Sequence, residues 1–163
     1  MNEEHLNIEQ RQQQLTKILH RSIDLLARRE HSAKELTDKL IQKGFDIELV
    51  SLTIERLQQE KLQSDLRFTE SFVNERKRRG HGPIKISHQL HQKGVASEIV
   101  ESFLDPESAE WKELAMRQYQ KKYTNPQVSN YNEWSKRARF LQGRGFTSTQ
   151  IRATVFFNAE ELD

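Results

Sequence analysis

The chain has 163 residues, 26 Lys and Arg against 24 Asp and Glu, 34% hydrophobic residues and no cysteine. That length suits one ordinary domain or a short array of small units, and 41 Leu, Ile, Val and Phe residues lift it above the composition of disordered chains. Zero cysteine excludes a disulfide scaffold, thiolate chemistry and cysteine-ligated zinc. No stretch approaches the roughly 20 apolar residues that cross a bilayer, and no apolar signal-type segment follows the start, which predicts a soluble, cytoplasmic protein with no membrane partner.

In chain order, residues 1–14 are rich in Gln and Glu and read as a lead, frayed or helical. A first amphipathic helix is predicted over residues 15–29, with Leu15, Ile18, Leu19, Ile23 and Leu26 on one face. Ser32 with Glu35 has the spacing of a capping box and opens a second helix, which Gly44 ends. Residues 65–78 repeat the amphipathic pattern through Phe68, Phe72 and Val73, and Gly82-Pro83 puts a proline at a first helical position. Residues 109–123 do so again through Trp111, Leu114, Ala115 and Tyr119. Asn130 with Glu133, and Thr147 with Gln150, mark two further helix starts. No alternating strand segment competes.

The glycines expose a repeat. Gly44, Gly94 and Gly145 lie 50 and 51 residues apart. Leu40, Leu90 and Leu141 stand four residues before them, Lys43, Lys93 and Arg144 one before, and Phe45, Val95 and Phe146 one after. A single three-helix unit is too small for a large core, so neighbours must stack. The prediction is an all-α chain of three tandem three-helix repeats, at 15–62, 63–107 and 108–163, stacked into an elongated, curved array.

The near-neutral total hides an uneven charge distribution. Between Arg76 and Ser97 there are six cations and no acid, and between Trp134 and Ala159 five cations and no acid. Arg76, Lys77, Arg78 and Arg79 close one helix, and Lys85 and Lys93 follow on the next. Lys136, Arg137, Arg139 and Arg144 form the second group, with Arg152 beyond. Clustered cations gain affinity for phosphates by releasing counterions, whereas a solvated helix end worth tenths of a kcal/mol per charge is the plainer reading. Lys93 also shares the helix-end position of Lys43. Tyr119, Lys121, Lys122 and Tyr123 suit either base stacking or a core. His88 and His91 have ligand spacing but no nearby acid to complete a metal site. No phosphate-cradling loop or nucleophile–base pattern is present, so neither an enzyme nor a cofactor is expected.

Asp65-Leu66-Arg67-Phe68, then Arg78-Arg79-Gly80-His81-Gly82-Pro83-Ile84-Lys85-Ile86 and Gln89-Leu90-His91-Gln92-Lys93-Gly94-Val95, resemble the RecX regulatory family. Residues 25–36 resemble that family's first repeat, and Arg139-Phe140-Leu141 with Arg144-Gly145-Phe146 its third. The likeness spans residues 20–157. This chain departs from the pattern at His81, Gln89 and Ser64. The resemblance implies a monomeric, non-enzymatic regulator that binds the RecA–single-stranded-DNA filament and inhibits or modulates recombination and the SOS response. It also implies that the ten cations from Arg76 to Arg144 named above form a basic surface toward filament or DNA. Glycine-linked helix pairs also resemble helix-turn-helix units, so a DNA-binding module and a helical-repeat adaptor for another protein stay open as alternatives.

Overall fold

The computed structural model describes residues 3–156. Met1, Asn2 and residues 157–163, which include the first residues of the expected lead and the ends of the third repeat and of the second acid-free window, lie outside the described residues. Among the described residues there are nine helices and no strand. They are α1 (Glu3–Arg28), α2 (Ala33–Gln42), α3 (Ile47–Gln59), α4 (Asp65–Arg78), α5 (Pro83–Gln92), α6 (Ser97–Phe103), α7 (Ala109–Lys122), α8 (Tyr131–Gly143) and α9 (Ser148–Thr154).

Local chemistry sets most of the boundaries. Ser32 Oγ accepts from the Glu35 N–H at 3.1 Å while the Glu35 carboxylate accepts from the Ser32 N–H, closing the capping box that starts α2. Thr147 and Gln150 do the same for α9, and Asn130 Oδ1 accepts from Glu133 N–H at 2.9 Å to start α8. Pro83 is the first residue of α5, where its missing N–H costs nothing. Helix α2 ends in a left-handed turn. Gly44 has φ +88°, its N–H reaches Ile41 O at 2.9 Å, and Phe45 N–H reaches back to Leu40 O at 3.3 Å. The turn after α8 repeats this at Gly145, φ +92°, with Phe146 N–H on Leu141 O at 3.2 Å.

Of the two readings of the lead, frayed or helical, residues 3–14 take the helical one: a single helix of 26 residues continues from them into the first amphipathic segment. Every residue from Asn7 to Gln14 is exposed, so no buried face generates a hydrophobic period there. Propensity extends the helix instead, since Gln, Glu and Arg are good helix formers.

The fold resolves into two compact units, each described by itself. Unit one comprises residues up to Ser71 together with His91–Ile99; unit two comprises Phe72–Leu90 and the chain from Val100 onward. The residues of α4, α5 and α6 are thus divided between them. In unit one α1 packs on α2 and α3, and α2 on α3. Ile18, Leu36, Leu40, Val50 and Leu57 are fully buried at the centre, with Leu15, Leu19, Leu25, Leu26 and Phe45 packed against that cluster. Full burial of each aliphatic side chain contributes about 1.5–3 kcal/mol before chain entropy is counted.

The Asp-x-Arg-Phe segment serves this unit. Asp65 Oδ1 accepts from Ala33 N–H at 2.9 Å and from Gln63 Nε2 at 2.9 Å. Arg67 Nε donates to Glu30 at 2.9 Å, and Gln63 Nε2 to the His31 carbonyl at 3.1 Å. Three side chains from the α3–α4 corner therefore fix the turn that precedes α2.

In unit two α7 packs on α8 and α9, and α8 on α9. Trp111, Ala115 and Leu141 are fully buried, with Tyr119 and Phe146 nearly so. Polar edges of the core are satisfied: Trp111 Nε1 donates to Asp105 O at 2.8 Å, Trp134 Nε1 to Val155 O at 3.1 Å, and Gln150 Nε2 to Pro106 O at 2.9 Å.

Candidate functional site

Unit two carries 14 Lys and Arg against 10 Asp and Glu, unit one 12 against 14. The positive charge is therefore concentrated in unit two, and the turn from α4 to α5 gathers much of it. That turn is anchored by backbone. Gly82 N–H donates to Arg144 O at 2.7 Å and Ile84 N–H to Gly145 O at 3.0 Å. The two chains come so close that a Cβ on Gly82 would fall on the Gly145 carbonyl and 2.6 Å from Phe146 N. The Gly-x-Gly-Pro element is thus a close-approach device in which Gly82 admits a neighbouring backbone. Arg144 Nη1 adds a bond to the Arg79 carbonyl at 2.8 Å.

His81 sits in this turn. Its imidazole is held below its ordinary pKa, first by burial and then by Lys85, Arg76, Arg144 and Arg79, so it is neutral at pH 7. Four of the ten expected cations, drawn from α4, α5 and the α8 turn, therefore converge on one neutral histidine. Two nitrogens here, His81 Nδ1 and Arg76 Nε, are buried without a hydrogen-bond partner in the structure. Converging cations with few counter-charges make a local positive potential suited to a phosphate-bearing polymer.

The expected cations divide sharply in what else they touch. Arg76 lies over the Phe72 ring at 4.5 Å. Lys77 pairs with Glu110 at 2.6 Å and covers Trp111 at 4.7 Å. Arg79 also pairs with Glu75 at 2.5 Å, one helical turn back. Arg78, Lys136 and Arg139 are exposed; Arg139 Nε reaches only its own helix, at Ser135 O, 3.3 Å.

Two expected cations are structural. Arg137 is 5% exposed. Its guanidinium donates to Tyr119 Oη at 2.6 Å, to Asn125 O at 2.7 Å and to the Glu133 carboxylate, and lies 4.6 Å over Tyr123. A side chain so enclosed offers no charge to a partner. Lys93 belongs to unit one, where its ammonium pairs with the nearly buried Glu35 at 2.6 Å and its carbonyl accepts from Ser32 Oγ at 2.7 Å. Arg29 reaches the same carboxylate at 3.1 Å. Burial would raise the Glu35 pKa, but the hydrogen bonds from Arg29 and Lys93 outweigh it and hold it at about 2.

Tyr119 and Tyr123, which suit either stacking or a core in the sequence, take the core role and enclose the Arg137 guanidinium. Tyr119 is 2% exposed and packs on Tyr123 at 5.2 Å, and Tyr123 meets Phe140 edge-on at 5.9 Å. An exposed aromatic that sequence reasoning passed over is Tyr131, which is 65% exposed and stacks on Trp134 at 5.8 Å. It also passed over Arg117, which lies on α7 beside Lys121 and close to Arg78. His88 and His91 are exposed, and among the described residues no group of three or more His, Asp or Glu is placed to hold a metal. No described helix is long and apolar enough to cross a membrane.

Comparison with known proteins agrees with the resemblance. Residues 19–57, 64–104 and 110–155 match the first, second and third three-helix domains of RecX in turn. The regulatory protein RecX of Legionella pneumophila (strain Corby) is 39% identical over 132 residues, covering 81% of this chain and 88% of that protein. The regulatory protein RecX of Halorhodospira halophila is 37% identical over 134 residues, covering 82% and 83%. A crystal structure of regulatory protein RecX superposes with TM-score 0.78 at 22% identity, covering 95% of this chain and 77% of that one. The crystal structure of RecX from Lactobacillus salivarius gives 0.75, also at 22%, covering 88% and 95%. An all-helical chain that matches three successive three-helix domains and is similar to these proteins along most of its length belongs to the RecX regulatory protein family.

Proposed function

We propose that this protein binds the RecA–single-stranded-DNA filament in the cytoplasm, as a monomer without catalysis of its own, and inhibits or modulates recombinase activity. The observation that carries the reading is the match to all three RecX domains in succession, over residues 19–57, 64–104 and 110–155. The electrostatics of unit two support it. A filament exposes nucleic-acid phosphates, and the cations around His81, with the exposed Arg78, Lys136 and Arg139, supply the opposite charge. Arg76, Lys85 and Arg144 belong to this surface by their place at the turn, whereas Arg137 and Lys93 hold the fold.

Co-sedimentation with preformed filaments, beside naked single strands and naked duplex at the same salt, tests this. Retention on the filament beyond that on either naked DNA is the expected result. Preference for naked duplex would instead favour a plain DNA-binding module, the reading suggested by glycine-turn helix pairs rich in cations.

A further inference from the structure

A second group of cations in unit two borders the turn that carries His81, since Gln118 of its lining packs against Gly80. Between α4 and α7 runs a trough of about 260 Å³, lined by Lys77 and Arg78 on one side and Arg117, Lys121 and Glu110 on the other, above the buried Leu114. Lys77 is committed, since its ammonium lies 2.6 Å from Glu110 and over Trp111. Arg78, Arg117 and Lys121 are exposed and have no ion-pair or hydrogen-bond partner among the described residues. Four cations against one carboxylate leave the trough strongly positive, and three of them are uncompensated.

Spacing selects the ligand. Arg117 and Lys121 stand four residues apart on α7, so their stems rise about 6 Å along the helix axis, with Arg78 lining the same trough from α4. A phosphodiester backbone carries one negative charge per nucleotide at a regular interval, which a row of cations one turn apart can follow. Carboxylates on a protein surface match that interval only where a helix carries acids four residues apart, whereas a nucleic-acid strand repeats its charge at every nucleotide. Gln118, the amide side chain in the trough, lies against Gly80 so tightly that a Cβ there would overlap it, which leaves it engaged with the turn. Positive side chains without a base-reading amide fit a backbone contact blind to sequence.

We infer that this trough binds the sugar–phosphate backbone of single-stranded nucleic acid directly, with Arg117 and Lys121 of α7 and Arg78 of α4 as the contacting residues. For the identity of the polymer this rests on the filament reading above.

Anisotropy of a labelled oligothymidylate, titrated with the full chain from about 50 mM to 200 mM salt, reads the contacts as the slope of log K against log salt. Two lost phosphate contacts in R117Q/K121Q make that slope shallower by about 1.4, at ~0.7 per single-strand contact. E110Q moves the other way. It removes the one acid and releases Lys77, so binding tightens and the slope steepens by about 0.7. A misfolded variant cannot produce that gain. Wild-type slope and affinity in a folded R117Q/K121Q protein would overturn the inference. So would a variant that keeps oligonucleotide binding while losing the recombinase filament, because the trough would then face protein. If the wild-type chain leaves recombinase activity untouched while R117Q/K121Q still flattens the slope, the filament reading falls and the trough stands.

Discussion

Replacing Glu35 with Gln (E35Q) removes the carboxylate on which Arg29 and Lys93 converge, while keeping a side chain that can still close the capping box. Glu35 is 9% exposed, and its partners hold its pKa at about 2 against an ordinary 4.5. At ~1.36 kcal/mol per pH unit, that difference corresponds to about 3 kcal/mol of folding free energy at neutral pH. Arg29 and Lys93 have side chains 50% and 39% exposed, so water recovers part of their loss and the expected cost of E35Q at pH 7 is about 2 kcal/mol. The sign with pH follows from a lowered carboxyl pKa. The contribution is complete above 4.5 and fades as pH falls toward 2, so wild type and variant converge, with more than half the gap gone by about pH 3. Urea unfolding followed by far-UV circular dichroism is the suitable assay, because both tryptophans, Trp111 and Trp134, belong to the other unit. An E35Q protein as stable as wild type at neutral pH, or a gap that stays constant down to about pH 3, would refute the reasoning.

Two glycines separate conformational cost from collision. Gly44 has φ +88° with nothing within 4 Å of an added Cβ, so G44A loses about 1 kcal/mol for the left-handed backbone alone. In G82A the new carbon meets the Gly145 carbonyl, so the loss measured by urea unfolding exceeds that of G44A by about 2 kcal/mol. R137A strips a nearly buried guanidinium from Tyr119, Asn125 and Glu133, with a cost of about 3 kcal/mol, whereas neutralising the exposed Lys136 stays within about 0.5 kcal/mol. His81 predicts a pH effect on binding. Kept neutral at pH 7 by burial and four cations, it gains a proton more readily when a polyanion neutralises that field, so oligonucleotide affinity rises as pH falls from 7 toward 5 more steeply in wild type than in H81F. Equal pH slopes in the two proteins would place His81 outside the bound polymer's reach.

Features fixed by neighbours in sequence were legible there. The capping boxes at Ser32 and Thr147, the proline opening α5 and the glycine turns at Gly44 and Gly145 stand where their residue types require them, because each depends on atoms within a few residues. The first half of α1 reads in the sequence as either frayed or helical, since a helix without a buried face leaves no hydrophobic period. Charge density pointed to the α4–α5 turn but could not tell binding cations from structural ones. The partner of Lys93 is Glu35, 58 residues away, and the partner of Arg137 is Glu133, one residue before the acid-free window opens. Arg117 stayed hidden for the opposite reason. It follows Glu110 and Glu113 on α7, so its segment reads as an ordinary mixed-charge helix until the fold sets it opposite Arg78. The family-like motifs carry a related lesson. Asp65 and Arg67 hold the turn before α2 and Gly82 admits a neighbouring backbone, so these signature residues specify packing. The surface cations around them are what remains for a partner.

The central claim, restraint of a recombinase filament, is met most directly by titrating the protein into RecA assembled on single-stranded DNA and following ATP hydrolysis. Hydrolysis should fall progressively as the protein is added, with a weaker effect from a folded R78Q/R79Q/R144Q variant. Hydrolysis that stays at its starting rate when the protein matches the recombinase in amount would contradict the claim.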